Sequence, residues 1–248
     1  MEDFVAPADR PVLERHGLAD FEALWNLSLD RVEEPNLGRG GWSSVFRLNL
    51  DGRGYFLKRQ CNHWTRSLAK PFGEPTFARE FRNIRRFEAL GVPALTAAFF
   101  AHRRKTAEQK GDRAILLTHA LDGWRALEHW LADRPGQPEV RAGLLAACGK
   151  IARALAATKM VHGCFYPKHI FLRERDGGFE ARLIDLEKAH SMLWRRDRGR
   201  DVEQFLRHAK ELSEAETTIL IAAYLGCAPE SAAVGDCRRW LARRRRGD

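Results

Sequence analysis

Long apolar runs are missing from this sequence. A helix crossing a bilayer needs about 20 consecutive apolar residues. The longest candidates, Gly91–Ala101 and Ile219–Cys227, are shorter, and Pro93 interrupts the first. The opening Met1-Glu2-Asp3-Phe4 carries acid where a secretory leader carries base, so no export signal is expected. Cysteine is sparse. The five residues Cys61, Cys148, Cys164, Cys227 and Cys237 are odd in number and scattered, with no C-x-x-C pair. Neither a disulfide framework nor a cysteine zinc site is indicated, and a reduced cytoplasmic compartment is expected. Repeats at about 20–50 residues, the mark of solenoids and propellers, are absent. Acid is in deficit, with 33 Asp and Glu against 42 Lys and Arg and a net charge of +9. That balance favours anionic partners.

What remains is a globular composition, 44% hydrophobic and 30% charged over 248 residues. It suits one large domain or two small lobes. Residues 1–30 read as an N-terminal extension with a short amphipathic helix through Leu18, Phe21, Leu24 and Trp25. Ser44–Leu50 and Tyr55–Lys58 alternate apolar and polar around an Asp51-Gly52-Arg53-Gly54 turn, which predicts an antiparallel hairpin. Phe77, Phe81, Ile84, Phe87 and Leu90 recur at helical spacing. A helix is expected over Glu74–Leu90, with Pro75 in its first turn and Gly91 and Pro93 beyond its end. Two apolar strands follow, Ala97–His102 and Ala114–Thr118.

Beyond Leu121-Asp122-Gly123 the pattern turns mostly helical. Helices are expected over Trp124–Ala132, Glu139–Thr158, Asp201–Leu212, Ser213–Leu225 and Ala232–Arg246, with Ser213 and Glu216 as a capping box. Two short strands, Ile170–Leu172 and Ala181–Ile184, flank an Asp176-Gly177-Gly178 turn. Strands first and helices later predict an α+β protein of two lobes. A small antiparallel-sheet lobe spans 31–118, and a mostly helical lobe spans 119–248.

Three segments carry candidate chemistry. Leu37-Gly38-Arg39-Gly40-Gly41-Trp42-Ser43-Ser44-Val45 is a glycine-rich turn entering a strand. Without side chains, its backbone N–H groups can approach phosphate oxygens. It lacks the G-K-[ST] ending of a Walker A loop and precedes no helix. Lys58 lies on the next strand and Glu80 on the following helix, placed to form an ion pair. The third segment runs from Val161-His162-Gly163-Cys164 through His169 to Leu172, and Leu183-Ile184-Asp185-Leu186-Glu187-Lys188 follows.

Together these segments resemble the protein-kinase set: a glycine-rich loop, a strand lysine paired with a helix glutamate, H-R-D-x-x-x-x-N, and a metal-binding aspartate after the next strand. Over about residues 35–212 the chain resembles the bacterial lipopolysaccharide core kinases, the Kdo and heptose kinases, and in particular their short InaA-like branch. The resemblance implies a bilobal protein-kinase-like fold, ATP, Mg²⁺ and phosphoryl transfer to a sugar hydroxyl of the lipopolysaccharide inner core. It also implies cytoplasmic work at the inner membrane. Gly38, Gly40, Gly41, Ser43 and Ser44 would cover the phosphates, Lys58 would hold them, and Glu80 would orient Lys58. His162 falls at the motif histidine and His169 at the asparagine. Asp185 would bind metal, assisted by His169 or Glu187. Cys164 stands where the catalytic aspartate is expected, and a thiol is a useful base only when its pKa is lowered.

Cys164 keeps two further readings open. One is a pseudokinase with a nucleotide-binding or scaffolding role, the other a kinase of another small molecule. Arginines gather at 195, 196, 198 and 200 and again over 243–246. They are expected on solvated faces, or in contact with an anionic saccharide or the inner leaflet. No nucleic-acid-reading motif accompanies them, so no nucleic-acid partner is expected.

Overall fold

The computed structural model describes residues 3–38, 40–67, 70–107, 109–194 and 197–245. The chain forms two compact units, Met1–Arg86 with Leu95–Asp122, and Phe87–Ala94 with Gly123–Asp248.

In the first unit, β1 (Phe4–Val5), α1 (Arg10–Arg15) and α2 (Phe21–Asn26) precede β2 (Asn36–Gly38), β3 (Gly41–Leu50) and β4 (Arg53–Cys61). β5 (Trp64–Ser67), β6 (Lys70–Pro75) and α3 (Thr76–Ala89) follow, then β7 (Ala97–Arg103) and β8 (Arg113–His119). Six strands make one antiparallel sheet in the order β1-β7-β8-β4-β3-β2. Leu50 pairs with Arg53, so the β3–β4 connection is the two residues Asp51-Gly52, both with positive φ (48° and 76°). This mirror-image turn matches the strand twist, and Arg53 and Gly54 join β4 rather than the loop.

Period-two alternation divides the sheet into two faces. Phe46, Leu48 and Leu50 of β3, Tyr55 and Leu57 of β4, and Ile115 and Leu117 of β8 share a core with Val12, Leu13, Phe21 and Leu24 from α1 and α2. Residues 3–30 are therefore built into this unit. Asp9 fastens them, accepting from the Tyr55 hydroxyl at 2.8 Å and meeting His119 Nε2 at 2.9 Å. Burial, with Asp9 alongside, pushes the Tyr55 hydroxyl up to about 12.

The opposite face carries Lys58 and Gln60 and receives α3. The helix begins at Thr76, and Pro75, expected in its first turn, instead ends β6 opposite Trp64. The β5–β6 hairpin has no counterpart in the sequence reading.

The second unit contains β9 (Arg125–Ala126), α4 (Leu127–Asp133), α5 (Pro138–Ala157), β10 (Met160–Val161), β11 (Ile170–Arg175) and β12 (Gly178–Leu183). β13 (His190–Ser191), α6 (Arg200–His208), α7 (Glu214–Leu225) and α8 (Ala232–Arg245) complete it. The helix expected from Trp124 starts at Leu127, because Arg125 and Ala126 pair with Leu172 and Phe171 as a third strand. Asp176-Gly177 closes the β11–β12 hairpin with φ 50° and 76°, the same turn as Asp51-Gly52. The Ser213–Glu216 capping box is formed, and Leu144, Leu145, Cys148, Ile151 and Leu155 of α5 are buried.

Candidate active site

In the first unit, Lys58 Nζ donates to Glu80 Oε1 at 2.6 Å, and Glu80 is only 3% exposed. A neighbouring side chain sets this geometry. Gln60, two residues after Lys58 and so on the same strand face, accepts from the Phe77 amide at 2.8 Å. Its Nε2 donates to the His63 carbonyl at 2.6 Å. The α3 N-terminus is thus tied to β4, and Glu80, one turn further on, meets Lys58. Phe77 also lies beneath the ammonium, its ring centroid 5.9 Å from Nζ.

The glycine-rich turn joins β2 to β3, with Gly38 paired to Gly41 and Gly40 at φ +82°. Arg39 lies outside the described residues. At Gly41 a Cβ would fall 2.0 Å from the Cys61 carbonyl oxygen, so only glycine lets the hairpin lie against that backbone. Ser43 shares the Lys58 face, since it pairs with Gln60 while Val45 pairs with Lys58. Ser44 does not. It is buried opposite Arg59 on the other face, in a cleft of about 760 Å³ with Trp25, Trp42 and Phe46. Its side chain is thereby separated from the lysine, a correction to its expected phosphate role. Trp42 packs on Trp25 at 5.8 Å in the same cleft.

In the second unit the two motif segments are laced together through His162. This side chain is fully buried. Nε2 donates to the Ile184 carbonyl at 2.9 Å, and Nδ1 accepts from the Cys164 amide at 3.2 Å. Burial pushes its pKa down to about 4. It is a neutral strut holding the loop beside Asp185, with both ring nitrogens engaged by backbone groups.

His169 Nδ1 donates to the Cys164 carbonyl at 2.9 Å, because a carbonyl can only accept. That leaves Nε2 facing Asp185 Oδ2 at 3.5 Å. Asp185 takes a left-handed backbone, φ 58° and ψ 61°, a conformation that aspartate tolerates better than most residues. Its carboxylate is 41% exposed. Glu187 completes no three-residue cluster with this pair, since no group of three His, Cys, Asp or Glu suited to a metal occurs among the described residues. The donors brought together are one carboxylate and one imidazole. The carboxylate suits Mg²⁺, whose remaining ligands are commonly phosphate oxygens and water, whereas the imidazole is a poor match for this oxygen-seeking ion.

Cys164 is buried, and desolvation first, then the Asp185 charge, pushes its thiol up despite the opposing Lys188 ammonium and Tyr166 hydroxyl. The thiol stays protonated near neutrality. A Cβ on Gly163, whose φ is +77°, would meet the Lys188 carbonyl oxygen at 2.7 Å, so the 162–164 loop lies directly on the 185–188 turn.

Two residues absent from the sequence reading hold that loop. Asp201 of α6 accepts from the His162 and Gly163 amides at 2.9 and 3.1 Å. Gln204, one turn along, donates to the Gly163 carbonyl at 3.2 Å and accepts from the Phe165 amide at 3.4 Å. Their signal was a pair of polar side chains at i, i+3 on a helix whose Val202 and Phe205 are buried.

The lipopolysaccharide kinase (Kdo/WaaP) family model matches residues 22–224. The chain belongs to this family. Protein InaA of Escherichia coli (strain K12) is 31% identical over 203 residues, which cover 79% of this chain and 91% of that protein. A solved structure of WaaP in complex with acyl carrier protein has the same fold, with a TM-score of 0.69, 21% identity and 98% of each chain covered. The α+β, protein-kinase-like architecture expected from the sequence is therefore that of a lipopolysaccharide kinase family member. Within this family fold, Lys58 is paired with Glu80, and His162, Cys164 and His169 gather beside Ile184 and Asp185.

Proposed function

We propose that the protein is an ATP- and Mg²⁺-dependent kinase that phosphorylates a heptose or Kdo hydroxyl of the lipopolysaccharide inner core, in the cytoplasm at the inner membrane. The observation that carries this reading is the 2.6 Å Lys58–Glu80 pair in a member of the lipopolysaccharide kinase family. Lys58, held by a buried carboxylate, is a fixed cation for nucleotide phosphates. Gly38, Gly40 and Gly41, with Ser43, offer backbone and hydroxyl donors. Asp185, with His169 beside it, would hold Mg²⁺, which neutralises phosphate charge when bound. His162 and Asp201 keep the 162–164 loop in register with Asp185.

Phosphoryl transfer through a loose transition state relies on positioning and charge, and requires little early proton removal. A protonated Cys164 is compatible with that chemistry. The test is ADP release with and without delipidated core oligosaccharide. Acceptor-dependent release is expected. ATP binding without turnover would instead favour a nucleotide-binding pseudokinase, the reading to which the buried, protonated Cys164 lends weight.

A further inference from the structure

The arginine-rich segment ahead of α6 and the arginine-rich C-terminal helix lie some forty residues apart in sequence, but the second unit packs them together. Gly199 sits so close to Trp240 of α8 that a Cβ would fall 2.5 Å from the indole. Arg244 of α8 donates to the Arg198 carbonyl at 3.3 Å and to Glu203 at 3.3 Å, with its guanidinium 4.8 Å from the Trp240 ring centroid. Ahead of them stands a turn with two consecutive large apolar side chains, Leu193 at 61% and Trp194 at 58% exposure. Asp197 stiffens this turn. Its Oδ2 accepts from the Leu193 and Trp194 amides at 2.9 and 3.0 Å. Arg195 and Arg196 lie outside the described residues.

Single exposed apolar residues are ordinary. Here two adjacent ones occupy a pre-ordered turn, a third, Trp240, is 36% exposed on the helix packed against Gly199, and Arg198 and Arg243 of the same two segments are exposed. From Ala232 to Arg245, α8 holds one acid, Asp236, against five arginines. Amphipathic indole beside basic side chains is the chemistry that meets a headgroup layer. The complementary partner is an anionic bilayer, since a neutral one gives the arginines nothing to pair with. Among the described residues no helix is long and apolar enough to cross a membrane, so contact through this surface is peripheral.

We infer that this face docks the protein on anionic membrane, with Leu193 and Trp194 entering the headgroup region and Arg198 and Arg243 against lipid phosphates. The inference rests on the inner-membrane location proposed above and names the surface that makes the contact; its assay contains neither nucleotide nor acceptor, so docking and kinase activity can fail separately. The full chain is co-sedimented with phosphatidylethanolamine–phosphatidylglycerol vesicles and with phosphatidylcholine vesicles at rising salt, while tryptophan emission is followed. Preferential binding to the anionic vesicles is expected, with a blue shift that Trp194→Ser removes. Replacing one basic contact near such a surface lowers binding about fivefold, so Arg198→Gln with Arg243→Gln should lower it more than tenfold. Leu193→Ser, checked by its melting curve, serves if Trp194→Ser does not fold. Equal binding to neutral vesicles overturns the proposal. So does unchanged binding and emission in the folded Trp194→Ser or Leu193→Ser variant.

Discussion

Lys58 and Glu80 are joined so that each needs the other. Removing the lysine takes a close cation from a buried carboxylate, and breaking such a pair costs up to about 3–5 kcal/mol. Lys58→Ala should therefore melt earlier, and its ligand-induced shift must be compared with its own apo baseline. A smaller shift with Mg–ATP than in the wild type is expected, while an unchanged one would remove Lys58 from phosphate binding. At Cys164 the buried thiol gains nothing from ionisation. Cys164→Ser should retain most of any turnover, and Asp185→Ala should abolish nearly all of it. Near-complete loss in Cys164→Ser with ATP binding intact would demand thiolate chemistry. Asp201 offers a pH test. Burial raises its pKa to about 6 against an ordinary 3.8, although the two amide contacts oppose the shift. A raised acid pKa means that the native state binds more protons than the unfolded chain between these values. Its contribution is therefore fully present below pH 3.8 and lost as pH rises through about 6. Asp201→Asn has no titrating carboxyl, so its stability deficit relative to wild type should grow by roughly 3 kcal/mol on acidification from above pH 6 to below pH 4. Urea melts across that range measure the difference, and a constant deficit would contradict it.

Elements meet here at points where one atom too many is costly. The β2–β3 hairpin lies on the Cys61–Asn62 backbone through Gly41, so Gly41→Ala should destabilise the protein by about 1–3 kcal/mol through overpacking. Gly163→Ala combines a left-handed backbone with the close Lys188 carbonyl. It should displace the 162–164 loop from the 185–188 turn and lower turnover far more than nucleotide affinity, since Lys58 and Glu80 belong to other elements. Equal falls in both quantities would show that the loop acts on binding alone. The longer helices follow apolar periodicity. Their ends do not, because Pro75 is taken by a hairpin and Arg125-Ala126 by a strand edge, partners that lie outside any local window.

For the whole molecule, the charge of +9 and the family fold point the same way, toward phosphate-bearing ligands. A ligand that binds only the native state stabilises it by about 2.7 kcal/mol at a hundredfold excess over its Kd. Mg–ATP at millimolar concentration should raise the melting temperature. No shift, confirmed by calorimetry, would count against both the kinase and the pseudokinase readings.

Residue order alone determined the features governed by near neighbours or simple periods. Both Asp-Gly turns, the glycine-rich hairpin and the strand and helix bearing Lys58 and Glu80 were legible, because turn chemistry and apolar alternation are local. The family was legible in the order and spacing of these segments. Only the tertiary structure decided what depends on burial and distant contact. It turned Ser44 away from Lys58 through strand alternation, left Glu187 outside a three-residue metal cluster with His169 and Asp185, and made His162 a neutral strut by enclosing it. It recruited Gln60, Asp201 and Gln204 as positioning residues through hydrogen bonds spanning 17 to 41 residues. It also kept Cys164 a thiol, since desolvation acts on the folded environment and leaves no trace in the order of residues.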